Sequence, residues 1–245
     1  MAPTTIAPQA KPVTQLQNQH LLFDADDTLW ENNIYFERAI SAFISYLDHR
    51  VHTNEGVRGH LNLCERATIA AHGYGLKSFH RSLVDCFEQL SQEPVTPEKH
   101  DRIVSFVNSI AEQEIELLPG VRETLLELQK RHRLILVTKG NADEQKDKLK
   151  RSGLESLFAG VEVLPEKHES AYRALTSHHG CEAQSTWMIG NSPKSDVNPA
   201  LAAGLNAVFI PHDFTWVLEH EVIDAPPKGQ RLLELSAFAD LTQHF

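Results

Sequence analysis

The sequence predicts an α/β protein, a doubly wound parallel sheet interrupted after its first strand by an all-helical insertion. Three observations carry that expectation. Short apolar runs of strand length alternate with amphipathic helical stretches through the second half of the chain. One isolated run of the same kind stands near the N-terminus, at "HLLF" (20–23). The stretch between them shows helical periodicity throughout and no strand pattern.

Composition bounds the rest. At 245 residues the chain can bury one large core or two smaller ones, and 41% hydrophobic with 23% charged residues is ordinary for a globular protein. The net charge of −10 argues against a nucleic-acid or anionic-membrane surface, and no apolar run is long enough for a membrane helix. Cys64, Cys86 and Cys181 are widely spaced and odd in number, which points away from a disulfide framework and toward a reducing, cytoplasmic setting.

The elements follow in order. Residues 1–18 carry three prolines and no apolar block, and read as a flexible lead-in. "HLLF" closes on Asp24 in the manner of a buried strand. From Glu31 to Leu118 apolar residues recur every three or four positions: Phe36, Ile40, Phe43, Leu47 and Val51, then Phe79, Leu83, Phe87 and Leu90, then Ile103, Phe106, Val107 and Ile110. "HTNEG" (52–56), "HGYG" (72–75) and "EPVTP" (93–97) punctuate that run, which gives a bundle of about four helices. "LLPG" (117–120) then opens a helix with Val121, Leu125 and Leu128 on one side. "RLILVT" (133–138) is a strand, "NADEQKDKLKRSG" (141–153) a charged helix, and "VEVL" (161–164) a strand. "KHESAYRALTSHH" (167–179) is a helix, "TWMIG" (186–190) a strand, "SDVNPALAAG" (195–204) a helix and "NAVFIP" (206–211) a strand. Such alternation implies right-handed βαβ units and a Rossmann-like sheet covered on both faces. Residues 19–33 and 117–245 thus form the α/β core, and 34–116 the helical insertion.

Ligands of an open parallel sheet sit beyond the carboxyl ends of its strands. Asp24 and Asp26 follow the first strand, Thr138 closes the second, Lys167 follows the third, and Asn191 with Asp196 follows the fourth. Crowding Asp24, Asp26 and Asp27 at a strand end is costly unless solvent or a cation compensates the charge. A magnesium-type ion held against a phosphate suits this oxygen-rich set. In an extended segment residues two apart face the same way, so Asp24 and Asp26 point together. One can attack in line while the other handles a proton at the leaving oxygen. Asp27 faces elsewhere and is assigned to hydrogen bonds that shape the turn.

These four motifs, D-x-D-x-T, a strand ending in Thr, a lone Lys, and "GNSPKSD" (190–196), resemble in this order the haloacid dehalogenase superfamily. More narrowly, they resemble its magnesium-dependent phosphatases with a helical cap between the first and second motifs. The resemblance covers the chain from about residue 19 onward. It implies that Asp24 is the nucleophile forming an aspartyl-phosphate and Asp26 the general acid, then base. Thr138 and Lys167 would orient the phosphoryl group. Asp24, the backbone carbonyl of Asp26, Asn191 and Asp196 would hold Mg²⁺. The reaction implied is hydrolysis of a small phosphorylated metabolite. A phosphomutase, a haloacid dehalogenase or a weakly catalytic binding relative are the alternatives on that scaffold. Dehalogenases generally lack the second aspartate, so Asp26 speaks against them.

Two departures stand out. Asn191 occupies a position where aspartate is common, and its amide oxygen can ligate without adding charge. In "TKGN" (138–141), Lys139 adds a second cation beside the phosphate, with Gly140 next to it. Lys167 is preferred over Lys139, Lys146 and Lys148 as the motif lysine because it directly follows the third strand; most of the others are expected to be solvated. Capped members of the superfamily present a specificity loop from the position of "HGYGLKSF" (72–79), which makes Tyr74 and Lys77 candidates for substrate contact. Trp30 and Tyr35 either touch substrate or pack between insertion and core. "WENN" (30–33) and "LLPG" are the hinge candidates. His178, His179 and Cys181 read as a helix end rather than a zinc site.

Overall fold

The computed structural model describes residues 15–91 and 93–245. Six strands form one parallel sheet: β1 (His20–Phe23), β2 (Arg133–Lys139), β3 (Gly160–Leu164), β4 (Thr186–Gly190), β5 (Asn206–Phe209) and β6 (Leu232–Glu234). Their order is β3-β2-β1-β4-β5-β6. β1 lies between β2 and β4, with Leu21 level with Leu134 on one side and Trp187 on the other. The strand order reverses there, so the crevice beyond Phe23 is the place where such a sheet binds ligands.

Period-two alternation sorts the strand residues onto two faces. Leu21, Phe23, Leu134, Leu136, Trp187 and Ile189 pack on one face with Val121, Leu125 and Leu128 of α5 (Val121–Leu128) and Leu149 of α6 (Ala142–Ser152). Leu22, Ile135, Val137 and Met188 pack on the other with Tyr172 and Leu175 of α7 (Glu169–His179) and Ala200 of α8 (Asn198–Ala202). Both faces are covered, which is why the strands read as continuous apolar runs. Burying each such side chain contributes ~1.5–3 kcal/mol.

Between β1 and β2 the chain forms α1 (Asn33–Leu47), α2 (Asn54–His72), α3 (Leu76–Ser91) and α4 (Pro97–Ala111). They close on their own core, in which Phe43, Leu61, Leu83 and Ile103 are fully buried. The turn residues do specific work here. Thr53 and Thr96 accept from Gly56 N and Lys99 N as N-caps of α2 and α4, and Pro97 occupies the first turn of α4. Val51 departs from its expected place on the apolar face of α1. That helix stops at Leu47, Asp48 turns left-handed, and Val51 is 84% exposed.

The two connections to the helical bundle run side by side. Glu31 N donates to Glu116 O at 2.9 Å and Leu118 N to Leu29 O at 3.0 Å, so "WENN" and "LLPG" form a paired strap. Trp30 at its centre is fully buried.

The lead-in expected over residues 1–18 needs correction where it is described. Leu16 N donates to His244 O at 2.8 Å, Leu16 packs on the core, and Gln15 bonds Thr242 O at 2.6 Å. Residues 15–18 are therefore docked on the C-terminal segment; residues 1–14 lie outside the described residues. β6 and the turn Phe238–Gln243 extend the core past the last strand expected from sequence, with Phe238 against Phe23. The three cysteines are buried and unpaired, and among the described residues no helix is long and apolar enough to cross a membrane.

Candidate active site

The site is built outward from the end of β1. Asp24 N donates to Ile189 O at 2.9 Å, extending the β1–β4 ladder and setting the aspartate at the sheet edge. Its Oδ1 accepts from Lys167 Nζ at 2.5 Å and its Oδ2 from Thr28 Oγ1 at 3.0 Å. Lys167, 3% exposed, also donates to Asp196 Oδ1 at 2.7 Å. Asp196 sits in a wide turn, Pro193–Val197, and its Oδ2 accepts from Ser192 N at 3.0 Å. Gly190 makes the fit possible: a Cβ there would lie 2.1 Å from Asp196 Oδ2.

One ammonium thus serves two buried carboxylates. Burial, with Asp24 adding repulsion, drives Asp196 above the usual carboxylate range against the pull of Lys167. Burial alone would lower Lys167, but Asp196 and Asp24 carry it up. Two carboxylates facing one ammonium leave the cluster able to take a further cation, which would favour the ionised form of Asp196.

Asn191 supplies a neutral oxygen at the same edge. Thr215 Oγ1 donates to His212 O at 2.9 Å and so accepts from Asn191 Nδ2, also at 2.9 Å. That fixes the amide with Oδ1 turned toward the site, 3.2 Å from the same Thr28 hydroxyl that reaches Asp24. Asp24, Asn191 and Asp196 form an all-oxygen donor set, and that chemistry fits Mg²⁺ better than a softer metal.

Asp26 has a different setting. Its carboxylate accepts from Trp30 Nε1 at 2.7 Å, Lys148 Nζ at 2.5 Å and Gln145 Nε2 at 2.8 Å. Burial would raise it, yet Lys148 and these hydrogen bonds hold it below the usual carboxylate range. Trp30 therefore neither meets substrate nor merely packs; it positions Asp26. Tyr35 bonds Glu116 at 3.3 Å and packs against the helical core, outside the cavity. Asp27 has a left-handed φ of 61° and accepts from Asn32 N and Asn33 N at 2.9 Å each, tying the turn to the start of α1. Burial pushes it up to about 7.

A cavity of about 180 Å³ covers these groups. Its floor includes Asp24, Asp26, Thr138, Gly140, Lys167, Asn191 and Asp196, and its roof Phe36, Ile40, Glu65, Ile69, Ser78 and Phe79 from the helical bundle. Thr138 is buried at the end of β2. Gly140 has φ 132°, with Tyr74 and Gln145 close to where a Cβ would stand.

Three lysines differ from their sequence expectation. Lys139 lines the cavity, but its ammonium is committed to Glu219 at 2.7 Å, Ser195 at 2.8 Å, Tyr74 OH at 3.2 Å and Glu166 at 3.3 Å. It is a structural tie rather than a free cation beside the phosphate. Lys148 is not solvated on a charged helix but reaches Asp26. Lys77 does not reach the cavity; with Arg81 it faces an outer groove, because Ser78, Phe79 and Ser82 take the buried side of α3. Tyr74 does line the cavity and donates to Glu166 Oε2 at 2.6 Å, with Trp216 edge-on to its ring. Glu144 accepts from Leu76 N at 3.2 Å, so an α6 carboxylate meets the N-terminus of α3.

The family profile of haloacid dehalogenase-like hydrolases matches residues 21–210, and so takes in β1 through β5 with every motif described above. The chain belongs to that family. A haloacid dehalogenase-like hydrolase from Xanthomonas campestris is 29% identical, with a TM-score of 0.75 over 91% of this chain and 92% of that one. The putative HAD-hydrolase YfnB from Bacillus subtilis, solved bound to magnesium, shares the fold with a TM-score of 0.64 at 17% identity, over 93% and 98% of the two chains. N-acylneuraminate-9-phosphatase of Homo sapiens is 23% identical over 200 residues, 76% of this chain and 79% of that one. This hydrolase's Thr215, Trp216 and Glu219 lie beyond the matched segment, in the loop after β5 that folds back over the site.

Proposed function

We propose that this hydrolase is a magnesium-dependent phosphatase that cleaves small phosphomonoesters through an aspartyl-phosphate on Asp24. The observation that carries the reading is the pairing of Asp24 with Lys167 beside Asp26 on the floor of one cavity. The phosphatase among its relatives supports the same reaction class. Asp24, Asn191, Asp196 and the backbone carbonyl of Asp26 would hold Mg²⁺, which supplies charge stabilisation for the phosphoryl oxygens.

The chain's own residues do the rest. Lys167 holds the Asp24 carboxylate in aim, and Thr138 orients a phosphoryl oxygen. Asp24 attacks phosphorus in line as the bond to the leaving oxygen breaks. Asp26 delivers a proton to that oxygen, a proton that a monoanionic ester brings with it. Asp26 is then again the carboxylate its three donors favour, and it takes a proton from the water that cleaves the acyl-phosphate. The substrate enters when the helical cap swings open on the paired strap, and closure excludes bulk water.

The test is Asp24→Asn, because an amide is a poor nucleophile toward phosphorus. With magnesium present, release of inorganic phosphate from p-nitrophenyl phosphate should vanish while the fold persists. Activity above a few percent in a homogeneous preparation would overturn the assignment. With wild type and a sugar phosphate that offers a second hydroxyl, recovery of a phosphorylated isomer instead of inorganic phosphate would identify a phosphomutase.

A further inference from the structure

Among the apolar side chains of α2 that turn inward, including Val57 and Leu61, one carboxyl group is out of place. Glu65 is 5% exposed, lines the cavity roof, and leaves its Oε2 buried with no hydrogen-bond partner among the described residues. The nearby cation is spoken for: Arg58 grips both oxygens of Glu37 at 2.6 and 2.7 Å. Burial pushes Glu65 up to about 7, with Arg58 opposing and Glu37 adding to the rise. In either protonation state an oxygen remains able to accept a hydrogen bond. Phe36, Ile40, Ile69 and Phe79 line the roof around it. A buried polar group without a partner is destabilising, so its presence in a cavity wall calls for a partner from outside the chain.

We propose that Glu65 is a specificity-determining residue that accepts a hydrogen bond from a hydroxyl, N–H or ammonium group at the end of the leaving alcohol remote from phosphorus. The segment between that group and the phosphate is apolar and seats among Phe36, Ile40, Ile69 and Phe79. The substrates are thereby phosphate esters of amphipathic alcohols. A bare polyol would bring hydroxyls against Phe36, Ile40, Ile69 and Phe79, with only Ser78 and Ser82 beside them as polar side chains of α3, and a wholly apolar alcohol would leave Glu65 unpaired. This inference rests on the phosphatase reading, because Asp24 decides which end of the ligand carries phosphorus.

The experiment uses hydrolysis-resistant alkylphosphonates of graded chain length, ending in hydroxyl, ammonium or methyl. Their binding to the wild-type chain and to Glu65→Leu is measured by calorimetry with magnesium present. At one chain length, a donor-terminated phosphonate should bind wild type at least about tenfold more tightly than its methyl counterpart. That ratio should fall to about twofold or less in Glu65→Leu and largely survive in Glu65→Gln, which keeps an acceptor oxygen. Glu65→Leu should also unfold at a higher temperature than wild type without ligand, by about 2–4 °C, because it removes an unpartnered buried carboxyl. No preference at any length, a preference that survives in Glu65→Leu, or no phosphonate binding to wild type overturns the proposal. Wild-type turnover of p-nitrophenyl phosphate reports separately on the phosphatase reading. Turnover without a donor preference overturns the role of Glu65 alone, and a donor preference without turnover overturns the phosphatase reading alone.

Discussion

Removing Glu219 should cost this protein far more stability than removing an ordinary surface acid. Its Oε1 lies 2.7 Å from Lys139 Nζ, and the two side chains are 9% and 15% exposed. Its Oε2 accepts from Ser192 Oγ at 2.7 Å and from Ser195 Oγ. Breaking a buried ion pair from one side typically costs ~3–5 kcal/mol, because the remaining charge stays desolvated. Here Lys139 keeps Ser195 at 2.8 Å and Glu166 at 3.3 Å, which places Glu219→Met just below that range, at ~2–3 kcal/mol. Lys139→Met strands Glu219 in turn and should cost about the same. The pair together, Lys139→Met with Glu219→Met, should be less destabilised than the sum of the singles by ~1–3 kcal/mol. Urea unfolding of the four proteins, followed by tryptophan fluorescence at constant slope, supplies the cycle. A loss below about 1 kcal/mol in either single variant, or strict additivity, would refute the claim that this network anchors the loop after β5.

Other expectations follow from the same geometry. His132 is buried, accepts from Gln19 N at 3.1 Å, and is held at about 4 by burial with Arg131 adding to the depression. Between the ordinary histidine value near 6.5 and that lower one, the unfolded chain binds the extra proton. The contribution of His132 to stability is therefore complete above about pH 6.5 and falls by about 2–3 kcal/mol on approach to pH 4, against the opposite trend of the raised carboxyls Asp27 and Glu65. His132→Asn keeps the acceptor, so between pH 6.5 and 4 the stability difference between wild type and variant in urea should shift against wild type by that amount; a difference that stays constant with pH would refute the assignment. Asn191→Asp adds a charge at the oxygen-rich edge and should lower the magnesium concentration for half-maximal activity by about one order of magnitude, ~1.4 kcal/mol. An unchanged titration would put Asn191 outside the coordination shell. Gly190→Ala should displace Asp196 from Lys167 and destabilise the fold by about 1–3 kcal/mol, with loss of activity. A variant with wild-type urea midpoint and turnover would show that the site has more room than the backbone implies.

Much of the molecule was legible before its coordinates, for identifiable reasons. β1, β2, β4 and β5 are largely buried on both faces and β3 is half-buried, so each reads as an apolar run, and the polar residue that follows each run falls at the sheet's carboxyl edge. That is how Asp24, Thr138, Lys167 and Asn191 could be named together. β6 was missed because three residues at a sheet edge, none of them fully buried, carry almost no pattern. Lys148 and Gln145 hid within a helix dominated by charge. Their spacing, three apart beside the buried Leu149, was the available sign that one face of α6 turns toward the site. Glu65 had a similar signature, a carboxylate four residues after Leu61 on a buried stripe. Glu219 left none, because its role depends on where a loop returns, and no local period encodes that.

Tyr74 has two jobs that cannot be separated. Its ring is a wall of the cavity, and its hydroxyl bolts the helical cap to Glu166 on the core. A substitution that reshapes the wall to admit a new ester also loosens the bolt, so substrate range and the opening equilibrium are inherited as one trait. Descendants that broaden their diet through this position must at once live with a leakier lid. Those that change through Glu65, which shares no hydrogen bond with Tyr74 or Glu166, are free to retune their preference while keeping the rhythm of opening and closing.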